Sequence, residues 1–238
     1  MLVTFYTRQF GKMTGMVKGA RQAKSKYGSA LQPMSCVAIV AYKKEGREIQ
    51  TVSQCDVVKP LRHLSEDIEK MSVGMSMIEL ISHIAHEEEE NIPLFELLVE
   101  SLSAVNGAGQ HPVNILYRFE LRLAALLGFT PSFQQCLSCK EQIAISNGYV
   151  MYDLSRGGPV CGKCARPSGN VKRITAETFN ALRRIVESSS TIQLLDIQID
   201  TAWKDEIENF LRTFLKLHVS GIRAMKTERV FSKIMGIS

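Results

Sequence analysis

Residues 36–58 read CVAIVAYKKEGREIQTVSQCDVV. Cys36–Tyr42 is a compact apolar run with Val37, Ile39, Val40 and Tyr42. A polar turn, Lys43-Lys44-Glu45-Gly46, separates it from a second run, Glu48–Val58. β-Branched and aromatic runs flanking a glycine-containing turn predict paired strands. Upstream, Leu2–Thr7 and Met13–Ala20 have the same character on either side of a turn at Gly11. Four short strands joined by glycine turns predict a small antiparallel barrel or sandwich over residues 1–58.

The pattern changes near Pro60. From Leu64 to Leu127 apolar residues recur at helical spacing. Ile78, Ile81, Ile84 and Ala85 form one stripe, and Pro93 suits the first turn of a helix running to about Val105. Leu116, Phe119, Leu123 and Leu126 form another stripe, ending at Gly128 with Pro131 just beyond. Residues 131–170 are rich in loop residues and carry four cysteines. Helical period then returns. Thr175 is placed to cap a helix through Phe179, Leu182 and Val186. Asp200 or Thr201 is placed to cap one through Trp203, Ile207, Phe210, Phe214 and Leu217, and a weaker helix is expected from Ile222 to Ile234. The predicted class is α+β. It comprises a β domain (1–58), a helical domain in two parts (59–130 and 171–238) and a cysteine insert between them (131–170).

The chain has 238 residues, of which 45% are hydrophobic and 22% charged, enough for a sizeable core. No stretch approaches the ~18 apolar residues of a membrane span, and no secretory signal is legible at the N-terminus. The first acidic residue is Glu45, and acid-poor N-termini also occur in transit peptides. Strand-like alternation and turn glycines argue against that reading here. The net charge of +5 is unevenly spread. Residues 1–50 carry nine Lys/Arg and two Glu, a net +7; residues 51–100 carry a net −8, and the remainder +6. Such asymmetry points to a polyanion-binding face at the N-terminus.

Cys136-x-x-Cys139 and Cys161-x-x-Cys164 form two knuckles with 21 residues between them. Each knuckle offers two thiolates from a tight turn, and together they complete a tetrahedral Zn²⁺ site. Four cysteine ligands close the coordination sphere, so the role expected is structural. Disulfides are disfavoured without a secretory signal, and one redox CxxC does not explain a second. Cys36 and Cys55 sit in strand-like runs and read as small core residues.

A second cluster places Lys12, Lys18, Arg21, Lys24 and Lys26 in fifteen residues. Phe5, Tyr6 and Phe10 precede it and Tyr27 follows. Cations can track a phosphate backbone while aromatics stack on bases. The competing reading is a solvated basic loop with its aromatics in the core. His83 and His86 before Glu87–Glu90 match no zinc-protease order and read as a solvated acidic helix end. Gly157-Gly158 reads as a hairpin turn. Neither a GxxxxGK[ST] nor a GxSxG motif occurs, and no catalytic residues are assigned.

These features together resemble the RecO family of bacterial recombination mediators. The resemblance rests on Gly11-Lys12, Lys18-Gly19-Ala20-Arg21, Lys24-Ser25 and Leu31-Gln32-Pro33. It extends through Arg118-Phe119-Glu120-Leu121, Leu127-Gly128-Phe129-x-Pro131, the two CxxC pairs around Gly157-Gly158, and Lys226-Thr227-x-Arg229. It implies an N-terminal OB-fold, a helical domain and a zinc-binding insert, without ATPase or nuclease activity. It also implies DNA binding, annealing of complementary strands, partnership with RecR, contact with single-strand-binding protein, and loading of RecA in the bacterial cytoplasm. The family usually begins about one strand before Met1, and an OB-fold needs five strands where four are legible. The expectation is therefore either a start upstream of Met1 or a barrel left open at one edge. Two other readings compete: an OB-plus-zinc RNA-binding or translation-associated protein, and an enzyme with an unrecognised site. Competition between DNA and RNA of one sequence separates the first of these, because RNA recognition exploits the 2′-OH.

Overall fold

A computed structural model describes residues 1–20, 27–44, 46–145, 147–166 and 170–219, apart from the side chain of Ser29. Among them the chain forms two compact units, Met1–Gly107 and a second beginning at Ala108.

In the first unit, β1 (Leu2–Thr7) and β2 (Gly11–Val17) form a hairpin. Thr7 tightens its turn: its hydroxyl accepts from Phe10 N and donates to Gly11 O, both at 3.0 Å. A second hairpin joins β3 (Cys36–Tyr42) and β4 (Ile49–Lys59), with register shifts after Cys36 and Val40. The hairpins meet through a parallel pairing of Thr14–Val17 with Ile49–Val52. The strand order is β1-β2-β4-β3, which among the described residues leaves β1 and β3 as edges of an open sheet. All four predicted strands form. The wholly antiparallel arrangement does not, because β2 and β4 run the same way.

Phe5, Val17, Tyr27, Ala30, Val52 and Cys55 make the buried core on one face of this sheet. Tyr27 donates from its hydroxyl to Ser53 O at 3.0 Å. Gly15 leaves room for Phe5 and Val52; a Cβ there would stand 2.6 Å from the Val52 side chain. Cys55 is a core residue as expected, whereas Cys36 is half-buried at the sheet edge.

Three α-helices follow among the described residues of the unit: α1 (His63–Glu66), α2 (Ile68–Ile84) and α3 (Ile92–Gly107). Asp67 caps α2 by accepting from Glu69 N and Lys70 N. Asn91 caps α3 by accepting from Leu94 N at 3.0 Å. The buried stripe of α2 is Val73, Met77, Leu80 and Ile81, so of the predicted stripe Ile81 and Ala85 are buried and Ile78 and Ile84 only half-buried.

In the second unit, α4 (Val113–Leu126) is surrounded by α5 (Ala176–Glu187), α6 (Thr191–Leu195) and α7 (Thr201–His218). Helix α4 ends at Leu126, with Leu127 as its cap and Gly128 at φ +92°, as its sequence predicts. A one-sided stripe is the wrong picture for α4. Ile115, Tyr117, Phe119, Leu121 and Leu123 are all buried, while Leu126 is exposed. Asn114 donates to Leu194 O and Ile197 O, and Tyr117 donates to Glu208, tying α4 to its neighbours. Thr175 and Asp200 cap α5 and α7 as expected. The apolar ends of both predicted stripes, Val186 and Leu217, are exposed, and Ile185 and Leu215 are buried instead.

Residues 131–170 are more ordered than a loop-rich insert. They carry β5 (Tyr149–Asp153) and β6 (Gly158–Val160), which join β7 (Val171–Thr175) in an antiparallel sheet of order β6-β5-β7. Phe133 packs against Tyr152, Phe179 and Phe210, so this segment shares its apolar core with α5 and α7. The predicted tail helix from Ile222 to Ile234 lies outside the described residues. No helix among the described residues is long and apolar enough to cross a membrane.

Candidate metal centre and basic face

The β5–β6 hairpin sets the position of the cysteine knuckles. Asp153 accepts from Ser155 N, the Ser155 hydroxyl and Arg156 N, which folds the turn over Gly157 at φ +69°. Gly157-Gly158 is thus the expected hairpin turn. Gly158 also lets Leu137 approach, because a Cβ there would lie 2.6 Å from that side chain. Leu137 N donates to Pro159 O at 2.9 Å, pinning the first knuckle to β6. Each knuckle closes a tight turn: Lys140 N donates to Cys136 O, and Ala165 N to Cys161 O. Lys140 takes a left-handed φ of +62° to do so.

The sulfurs of Cys136, Cys139, Cys161 and Cys164 lie within 4.8 Å of one another, with Cys139 and Cys161 at 3.7 Å. Four Zn–S bonds of about 2.3 Å at tetrahedral angles place sulfurs about 3.8 Å apart. The donor set and spacing therefore fit a closed tetrahedral site, and these four groups could hold a metal ion. Burial opposes ionisation of Cys136, but N–H groups of Cys139, Cys161 and Ser138 outweigh it and bring the thiol down to about 6. Cys164 is pushed up to about 12 by hydrogen bonds to Cys161 and Cys139. Four thiols this close cannot all become thiolates without a cation among them.

The basic cluster is described only in part. Lys12 lies on β2, on the face away from the core, opposite Tyr6 of β1. Lys18 follows β2 and is exposed. Arg21, Lys24 and Lys26 lie outside the described residues. The neighbouring aromatics divide. Phe5 and Tyr27 are core, and Tyr6 packs on Phe95 at 6.0 Å. Phe10 is half exposed, with Lys43 Nζ 5.8 Å from its ring centroid.

Parts of the basic and acidic stretches meet in the fold. The segment after α2 folds back onto β2: Lys12 N donates to His86 O, and Glu88 N donates to Lys12 O, each at 3.2 Å. Glu88 pairs with Lys43 at 3.1 Å, and Glu96 pairs with Arg8 at 2.8 Å. Glu87–Glu90 is exposed, as the solvated reading expects, but its main chain is also docked on β2. Sequence reasoning misses this contact because a short run of glutamates without alternation gives no strand signal.

A small open sheet with helices, followed by a helical unit bearing a four-thiol cluster, defines an α+β protein with a cysteine-knuckle insert. A family model described as Recombination protein O N terminal matches residues 1–61, and one described as Recombination protein O C terminal matches residues 65–228. The chain belongs to the RecO family of DNA repair proteins. It is similar to the DNA repair protein RecO of Pelotomaculum thermopropionicum, 30% identical over 219 residues that cover 92% of this chain and 82% of the relative. It is 27% identical to that of Chloroherpeton thalassium over 98% of this chain and 92% of the relative. It is also 27% identical to that of Salinibacter ruber, over 99% and 88% respectively.

Proposed function

We propose that this protein is a recombination mediator that binds single-stranded DNA and anneals complementary strands without nucleotide hydrolysis. With RecR it would help load RecA onto strands coated by single-strand-binding protein, in the bacterial cytoplasm at the nucleoid. The observation that carries this reading is the match of both recombination-protein models across residues 1–61 and 65–228. Its role is to hold strands rather than to catalyse a reaction.

The N-terminal sheet is the proposed DNA-binding element, with Lys12, Lys18, Arg21, Lys24 and Lys26 contacting phosphates. The strand order supports an OB-type reading. A fifth strand laid between the free edges of β1 and β3 would complete a five-stranded Greek-key barrel. Cys136, Cys139, Cys161 and Cys164 would hold one structural Zn²⁺, which would fix the two knuckles to each other. Residues 1–58, 59–130, 131–170 and 171–238 would be its functional modules. Neutralising two phosphate backbones side by side lowers their mutual repulsion, which would promote annealing.

The test mixes two complementary oligonucleotides with the protein, without nucleotide, and follows duplex formation. Acceleration over the spontaneous rate is expected. Its absence overturns the annealing role. Equal competition by RNA of the same sequence overturns DNA as the preferred partner.

A further inference from the structure

We propose that the acidic segment Glu87–Glu90 is a built-in competitor for the polyanion that binds the N-terminal sheet. The inference rests on the reading that this sheet binds a nucleic-acid strand. Two features carry it.

The first is the anchoring. His86 and Glu88 bond through their main chains to Lys12, just before the point where β2 takes up β4 at Thr14. Gly11 admits the segment, because a side chain there would collide with the Glu89 main chain. The segment therefore stays docked whether or not its carboxylates are engaged. The second is the charge. Glu88 occupies Lys43, which belongs to the β3–β4 loop and lies over the ring of Phe10. Both charged groups are about half exposed, at 50% and 56%. Exposed pairs of this kind are individually weak, so a phosphate can replace the carboxylate. While Lys43 is held by Glu88 it neutralises no phosphate, so one fewer contact releases condensed cations from the strand, and both binding and its salt dependence are weaker. Four adjacent exposed carboxylates beside the sheet thus lower its affinity for any strand.

The experiment measures affinity for an oligodeoxythymidine against salt, using the full chain and Glu87→Gln/Glu88→Gln/Glu89→Gln/Glu90→Gln. Affinity at low salt should rise about two- to fivefold, the range that an exposed ion pair represents. The log–log salt slope should steepen by about 0.7, one additional phosphate contact. Lys43→Ala should abolish that gain in the four-glutamine background and change little in the wild type. A control that removes equal charge elsewhere, Glu66→Gln/Glu69→Gln/Glu177→Gln/Glu187→Gln, should leave the slope unchanged. If the control matches the variant, or the gain is independent of Lys43, the competition is overturned. A wild-type chain that fails to bind overturns the DNA-binding reading as well. Binding that depends on Lys12 and Lys18 yet ignores the four glutamates overturns the competition alone.

Discussion

Gly11 and Glu89 meet backbone to backbone: the Glu89 carbonyl occupies the space that any Cβ on Gly11 would need. Gly11 also sits at φ +57°, a left-handed conformation that costs an L-residue about 1 kcal/mol or more. Gly11→Ala therefore carries two penalties at once, strain at the turn and displacement of the docked segment. Loss of at least about 2 kcal/mol in urea unfolding is expected. Gly46 is also at positive φ, but a Cβ there would meet nothing within 4 Å, so the same substitution should cost less.

Metal analysis of protein purified without chelator should find one Zn²⁺ per chain. Zinc-finger peptides gain on the order of 10–16 kcal/mol from such a site, so Cys161→Ser should abolish stoichiometric binding. Because Phe133 and Tyr152 pack against helices, the second unit should retain helical circular dichroism in that variant while its knuckles loosen. Clearly less than one Zn²⁺ per wild-type chain would refute the assignment.

The Tyr6 hydroxyl is buried without a hydrogen-bond partner, and burial, with Glu89 nearby, raises its ionisation to about 12. An unfolded tyrosine ionises near 10, so the neutral phenol favours the fold below that pH. This contribution is lost as pH rises from about 10 through about 12. Tyr6→Phe should change stability at neutral pH by less than about 1 kcal/mol, since the hydroxyl forms no bond to lose. Its alkaline loss of stability should be shallower than that of the wild type. Denaturant unfolding from about pH 8 to about pH 12 checks both, and identical alkaline profiles would contradict the burial argument.

Single-stranded DNA affinity should fall with salt at a log–log slope of roughly −2 to −3.5, corresponding to about three to five phosphate contacts. Arg21→Ala/Lys24→Ala/Lys26→Ala should flatten that slope and slow annealing. Arg183→Ala/Arg184→Ala on α5 should do neither. If the first set leaves slope and annealing rate unchanged, the N-terminal assignment fails.

The strands are legible in the sequence because each is a short β-branched run closed by a glycine turn; β1 and β3 have the predicted bounds. Caps at Thr175 and Asp200 and the stop at Gly128 are equally local signals. The cysteine cluster is legible because knuckle spacing encodes geometry directly. Non-local features are not legible. The parallel pairing of β2 with β4 leaves no mark on either strand. The burial of Tyr117 and Leu121 alongside Phe119 depends on helices arriving from several sides of α4, which a periodicity within α4 cannot register. The sheet in the cysteine segment stays hidden because β6 spans only Gly158–Val160, too short to show alternation.

The seam between β2 and β4 has a kinetic consequence. Each hairpin closes over a short loop and can form early by itself, whereas the Thr14–Val17 ladder with Ile49–Val52 must first bring together residues far apart in the chain. Assembly of the N-terminal sheet should therefore be gated by this one ladder. Substitutions at Gly15 or Val52 should slow refolding, whereas substitutions at the outer edge of β3 should mainly speed unfolding.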